Sequence, residues 1–173
     1  NSNNITTTEG KRPAYSGGRL TFTGANDDFL SISSDINLTG EFTIAYRANP
    51  TGLGALLGNT GTSSTEIDFL KYQNTIKITL KIDNASNNFE LDSGVWANDN
   101  IVVTRNSSNL IAVHVNGTQL TDTSTRAGTV KINVIGNRTN GLNDFTGTAE
   151  EFQFYSSTSE ALTTNVIARL ASL

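Results

Sequence analysis

Glu66 and Asp68, in the run Glu66-Ile67-Asp68-Phe69-Leu70-Lys71, come closer to catalytic machinery than any other residues of the chain. Two positions apart on an extended strand, their carboxyl groups share one face. Hydrolysis of a glycosidic bond with retention needs such a pair about 5 Å apart, one group attacking the sugar and the other giving and taking a proton. The same spacing also describes an ordinary strand with two solvated carboxylates, the commoner arrangement. Other hydrolytic chemistry has less to work with. His114 is the one histidine, Cys is absent, and there is no Gly-x-Ser-x-Gly turn, so neither a serine nor a cysteine nucleophile finds its base. A single imidazole also supplies at most one metal ligand.

A second chemistry is hydrogen bonding to hydroxyl-rich ligands. The loop Asn137-Arg138-Thr139-Asn140-Gly141-Leu142-Asn143-Asp144 gathers amide, guanidinium and carboxylate groups, with Asn137, Arg138, Asn140, Asn143 and Asp144 as the candidate contacts. Tyr72, read as part of a Lys71-Tyr72-Gln73-Asn74 turn, is the best loop aromatic for stacking on a sugar face. Both segments read equally as solvated hairpin tips.

The elements that must hold these groups are strands. Ile101, Val102 and Val103 precede a polar turn over Asn106-Ser107-Ser108-Asn109, and Ile111, Val113 and Val115 then alternate up to Asn116-Gly117, which marks a hairpin with a second turn. Ile101, Val103, Ile111, Val113 and Val115 are its expected core residues. Leu20–Phe22, Phe29–Ile32 and Glu41–Arg47 alternate in the same way, with Asp35–Gly40 expected as a turn. Further strands are expected near 55–58, 65–70, 75–82, 89–91, 130–135 and 145–155. Only the last segment reads as a helix, with Thr163 as its cap and Val166, Ile167 and Leu170 as an apolar stripe.

Composition agrees with an all-β chain. Of 173 residues, 36% are hydrophobic and 16% charged, with Asn, Thr, Ser and Gly filling much of the rest, which suits short strands joined by turns. The length suits one domain: residues 1–11 form a polar arm or linker, and 12–173 a single sandwich. A net charge of −4 with scattered Lys and Arg argues against a nucleic-acid partner. No apolar run is long enough for a membrane-spanning helix. The chain has no Met, even at position 1, and reads as a processed or excised piece of a longer protein.

These segments, taken together, resemble laminin G-like domains of the concanavalin A-like lectin/glucanase superfamily. The matching motifs are Arg12-Pro13-Ala14-Tyr15 leading to Leu20-Thr21-Phe22-Thr23-Gly24, the strand Phe42-Thr43-Ile44, Trp96 ahead of Ile101-Val102-Val103-Thr104-Arg105, the Val115-Asn116-Gly117 turn, and Gly147–Tyr155 followed by Leu162–Leu170. The resemblance covers roughly residues 12 to 173. It implies a two-sheet antiparallel jelly-roll sandwich with a short C-terminal helix, and it makes Trp96 a framework residue.

It also bears on the chemistry. Retaining glucanases of the superfamily place a nucleophile Glu, a helper Asp and an acid/base Glu on one strand. Lys71 stands at or beside the third position, and an ammonium cannot give and take the proton that the cycle requires. The expected protein is therefore not an enzyme. Many relatives hold a structural Ca²⁺ between the opening Gly-x-x-Asp turn and a late Asp, which implies Asn26, Asp27, Asp28 and Glu150 as oxygen ligands here, with Glu replacing Asp in the last place.

The function expected is non-catalytic recognition of carbohydrate or another surface polymer, within a larger secreted, surface or phage-type protein at an extracellular, cell-surface or virion location. The alternative is a structural subunit of a filament or virion that meets copies of itself or other structural subunits through its arm and sheet edges.

Overall fold

A computed structural model describes residues 5–6, 10–60, 69–73, 76–91, 97–137 and 144–173. Two antiparallel sheets of seven strands each account for most of them. The first runs, in spatial order, β1 (Ile5–Thr6), β4 (Leu30–Thr39), β13 (Thr129–Ile135), β6 (Gly54–Gly58), β7 (Phe69–Gln73), β8 (Lys77–Ile82) and β9 (Ala85–Glu90). The second runs β12 (Thr118–Thr125), β11 (Leu110–Val115), β10 (Asp99–Arg105), β5 (Phe42–Pro50), β14 (Gly147–Tyr155), β3 (Arg19–Phe22) and β2 (Ala14–Ser16). Helix α1 (Glu160–Ala171) follows the last strand. The expected all-β sandwich with a short C-terminal helix is the fold observed.

The core lies between the sheets. Phe42, Ile44 and Tyr46 of β5, Ile101 and Val103 of β10, and Ile111 and Val113 of β11 face Leu70, Ile78, Leu80, Ile82, Phe89, Val130 and Ile132 of the other sheet. Each such side chain contributes on the order of 1.5–3 kcal/mol by leaving water. Strands β5 and β10 each carry one apolar residue on their otherwise polar outward face, for a local reason. Their outward Ala45 and Val102 are covered by Val166 and Leu170 of α1.

The central hairpin forms as its sequence predicts. Asn106 Oδ1 accepts from the backbone N–H groups of Ser108 and Leu110, both at 3.0 Å, and Asn109 takes a left-handed φ of 61°. Asn116 and Gly117 sit at φ 50° and 86°, as a tight two-residue turn requires. Arg105 closes the end of the sandwich. Fully buried, it places its guanidinium 4.7 Å from the Phe42 ring centroid and donates from Nε to the Gly40 carbonyl, and to Leu38 and Arg126 carbonyls at 3.3 Å.

Several expectations need correction. Asp35–Thr39 is not a turn but the second half of β4, held by pairing with Thr129–Ile132; the chain turns only at Gly40, where φ is 73°. Helix α1 is capped by Ser159, whose Oγ accepts from Leu162 N at 3.1 Å, while Thr163 lies inside the helix. Val115 is half-buried beside the core rather than in it. Strand β12 has no apolar alternation to announce it and exists through its ladder with β11. Of the arm, Ile5 and Thr6 pair with Ile32 and Ser31 of the chain's own β4.

Candidate functional site

Strand β13 ends at Ile135, the chain leaves through Gly136 and Asn137, and it returns at Asp144 to start the approach to β14. Backbone bonds pin both ends of this excursion. Phe145 N donates to the Gly136 carbonyl at 2.9 Å, Thr51 N and Gly52 N donate to the Thr146 carbonyl at 2.9 and 3.2 Å, and Asp144 pairs with Ala55 in a parallel bridge. Glycines permit this crowding. A Cβ on Gly54 would stand 2.1 Å from the Asp144 carbonyl oxygen, and one on Gly24 would stand 2.5 Å from Thr146 Oγ1. The result is a corner in which the 3-10 turn Gly24–Asn26 and its following aspartates meet the foot of the Asn137–Asp144 loop.

Three carboxyl groups sit there in different states. Asp28 is buried and its Oδ2 accepts from Thr23 N at 2.7 Å. Asp27 closes the 3-10 turn at φ 53°, and its Oδ2 accepts from Lys11 Nζ at 3.2 Å. Its carboxyl also shares a hydrogen bond with that of Asp144, which, together with Lys11, holds Asp27 below the usual carboxylate range. Burial, followed by the bond to Asp27 and its charge, pushes Asp144 up to about 6. Below about pH 6 Asp144 is therefore the protonated member of the pair and Asp27 the charged one. Asp144 Oδ1 is buried with no hydrogen-bond partner among the described residues.

The structure distributes the sequence-predicted residues unevenly. Asn137 is buried at the foot of the loop and already engaged, while Arg138, Asn140 and Asn143 lie outside the described residues, as do Glu66 and Asp68. Tyr72 is a correction. It belongs to β7, not to a turn, is 2% exposed, and packs its ring 5.9 Å from Phe145 inside the core, so it cannot stack on a sugar. Lys71, its neighbour, takes the opposite face of β7 across from Thr79.

The expected calcium ligands do not converge. Glu150 lies four residues beyond Thr146 along β14, about 13 Å in extended chain. Its Oε1 is engaged by Arg19 Nε at 3.1 Å and Arg47 Nε at 3.4 Å. Asn26 is exposed. Among the described residues no three His, Asp or Glu side chains gather as a cation site. The residue that joins Asp27 is Asp144, which the sequence reading assigned to sugar contact. Arg19 and Arg47 went unnoticed, although Arg47 alternates with Ala45 and Asn49 on the polar side of a strand whose other side is apolar.

No protein-family model matches the sequence, and no curated protein matches it. Solved structures do share the fold. The botulinum neurotoxin serotype D binding domain superposes with a TM-score of 0.68 at 12% identity, over 99% of this chain and 47% of that one. The same serotype D ligand binding domain in complex with N-acetylneuraminic acid gives 0.62 at 12% identity, over 99% and 47%. Trypanosoma rangeli sialidase in complex with sialic acid gives 0.63 at 13% identity, over 98% and 30%. The chain thus spans less than half the length of each of these relatives. What they share with it is the β-sandwich.

Proposed function

We propose that this chain is a non-catalytic recognition module that binds carbohydrate, with the corner at Asn137 and Asp144 as its contact point. The observation that carries the reading is Asp144 Oδ1, a buried acceptor with no donor among the described residues, at the foot of a loop rich in amides. A sugar hydroxyl supplies that donor. Two structures of the same fold, the toxin domain and the sialidase, are described with sialic acid bound, which is consistent with a glycan partner and a secreted or surface setting. The laminin G-like motifs point the same way. Lys71 counts against glucanase chemistry, because an ammonium replaces the acid/base carboxylate.

A high-avidity display of the chain on a glycan array tests this. Discrete hits are expected, weakened at least tenfold by Asp144→Ala, with no reducing sugar released from β-glucans. An array without hits overturns the reading.

Calcium is a second reading, carried by the Asp27–Asp144 pair in place of the expected four ligands. Both carboxyls are hard oxygen donors, and a dication between them takes the role of the shared proton. Asp27 and Asp144 would hold it. A calcium-dependent rise in Tm, reversed by EDTA and lost in Asp144→Asn, is the expected result; no shift at millimolar calcium removes this reading.

A further inference from the structure

The outward face of the second sheet carries a polar row that is most exposed at its Arg19 end. Its register places Arg47 directly opposite Glu150 of β14 on one side and Asn100 of β10 on the other. Arg19 of β3 reaches the same Glu150 from the far side, so the row reads Arg19, Glu150, Arg47, Asn100. Thr21, Thr148 and Asn49 form the adjacent row by the same pairing. Helix α1 does not cover these residues. Its buried contacts fall on Ala45 and Val102, farther along the strands.

The row is unbalanced in charge and in hydrogen bonds. Two guanidinium groups meet one carboxylate, leaving a local excess of one positive charge on a chain whose net charge is −4. Both arginines reach Glu150 through Nε and both at the same oxygen, Oε1. Arg47 is further occupied, because Asn98, with its amide turned to satisfy both groups, accepts from Arg47 Nη2 at 2.8 Å. Among the described residues Arg19 makes no such second contact. Its side chain is 44% exposed, against 13% for Glu150. Asn100 Oδ1 nearby is buried with no partner.

We infer that this row is a subsite for the carboxylate of an acidic sugar, a deepening of the carbohydrate-binding reading and dependent on it. Arg19 supplies the fork of donors that matches a carboxylate in a bidentate manner. Arg47, less exposed and held by Glu150 and Asn98, adds positive potential without moving. Glu150 fixes both arginines through Oε1. Thr21, Thr148 and Asn49 offer hydroxyl and amide groups to the rest of the ring. A neutral sugar leaves the excess charge unmatched, so the subsite discriminates by charge.

The test uses one polymer in two charge states. Immobilised polygalacturonate is compared with its methyl ester, which keeps the backbone and removes the charge, and a polyvalent N-acetylneuraminate conjugate and inorganic sulfate serve as further probes. Binding to polygalacturonate or the N-acetylneuraminate conjugate is expected, at least tenfold weaker to the ester, and weakened by added salt because the arginine is exposed. Arg19→Ala is expected to lose at least tenfold toward the acidic probe while Tm stays within a degree or two, since Arg19 is at the surface; Arg19→Lys recovers only part, for want of the fork. Retention of acidic-probe binding by Arg19→Ala overturns the subsite but leaves the recognition reading standing, as does equal binding of acid and ester. Competition by inorganic sulfate as strong as by free galacturonate also overturns it, by showing generic anion attraction. A wild-type chain that binds neither acidic probe overturns the subsite, and one that also gives no hit on the glycan array overturns both.

Discussion

The Tyr72 hydroxyl donates to that of Tyr46 at 3.3 Å, joining the two sheets inside the core. Burial raises both phenols above their ordinary pKa, so both stay neutral and the bond persists across the working pH range. Tyr72→Phe is expected to cost about 0.5–1.5 kcal/mol, because one bond is lost and one buried hydroxyl is left short of a partner. Tyr72→Ala is expected to cost about 3–5 kcal/mol through the cavity. Urea unfolding measures both. Glycan binding by Tyr72→Phe should equal wild type; a selective loss of binding at unchanged stability would return Tyr72 to the surface.

Asp144 makes stability depend on pH in the direction opposite to an ordinary ion-paired carboxylate. Its folded pKa of about 6 lies above the reference of 3.8, so its contribution is full below the reference value and is lost as pH rises through about 6. Asp27, held below 3.8, contributes above that value and loses its contribution as pH falls further. Between the two reference points Asp144 governs. In Asp144→Asn the amide still donates to Asp27 but no longer titrates, so the variant should gain on wild type as pH rises from 4.5 to 7. A stability difference that stays constant across that range would contradict the shared proton.

Helix α1 is attached by two unlike contacts. Leu170 is fully buried against the sheet, whereas Arg169 Nε and Nη2 hold Glu151 at 3.0 and 2.9 Å near the surface. Glu151 occupies the bulge of β14 at φ 52°, and the guanidinium keeps its carboxyl below the usual range. Leu170→Ala is expected to cost about 2–5 kcal/mol, and Arg169→Ala much less, shrinking with salt. Equal losses would show that the ion pair, not the packing, docks the helix.

Gly54 permits the corner to close. Gly54→Ala drives a methyl group into the Asp144 carbonyl, backbone against backbone, and is expected to destabilise by more than about 2 kcal/mol and to weaken glycan binding through the displaced loop foot. Gly40→Ala, where a methyl group would meet open space but φ is 73°, is expected to cost about 1 kcal/mol and leave binding unchanged. Thermal denaturation with array binding separates the two.

The fold was legible because burial leaves a period in the residues. Phe42, Ile44 and Tyr46, or Ile111 and Val113, announce a half-buried strand by alternation, and Asn116-Gly117 announces a turn by the φ values it tolerates. Where no period exists, reading stops. Strand β12 buries Leu120 but leaves most of its length polar and exposed, so pairing with β11 alone marks it as a strand. Tyr72 was misread for a related reason. Polar neighbours made it look like a turn residue, whereas its direction into the core follows from the register of β7 against β8.

The amino-acid order by itself determined the all-β class, the central hairpin, the amphipathic last helix and the absence of thiol or multi-histidine chemistry, since each depends on residue type and short-range spacing. The tertiary structure decided which distant groups meet. Asp27 and Asp144 lie far apart in the chain yet set each other's ionisation, and Arg19 and Arg47 converge on Glu150 from two different strands. Those encounters are set by sheet order and by the glycines that let backbones touch, and both are long-range properties with no local signature.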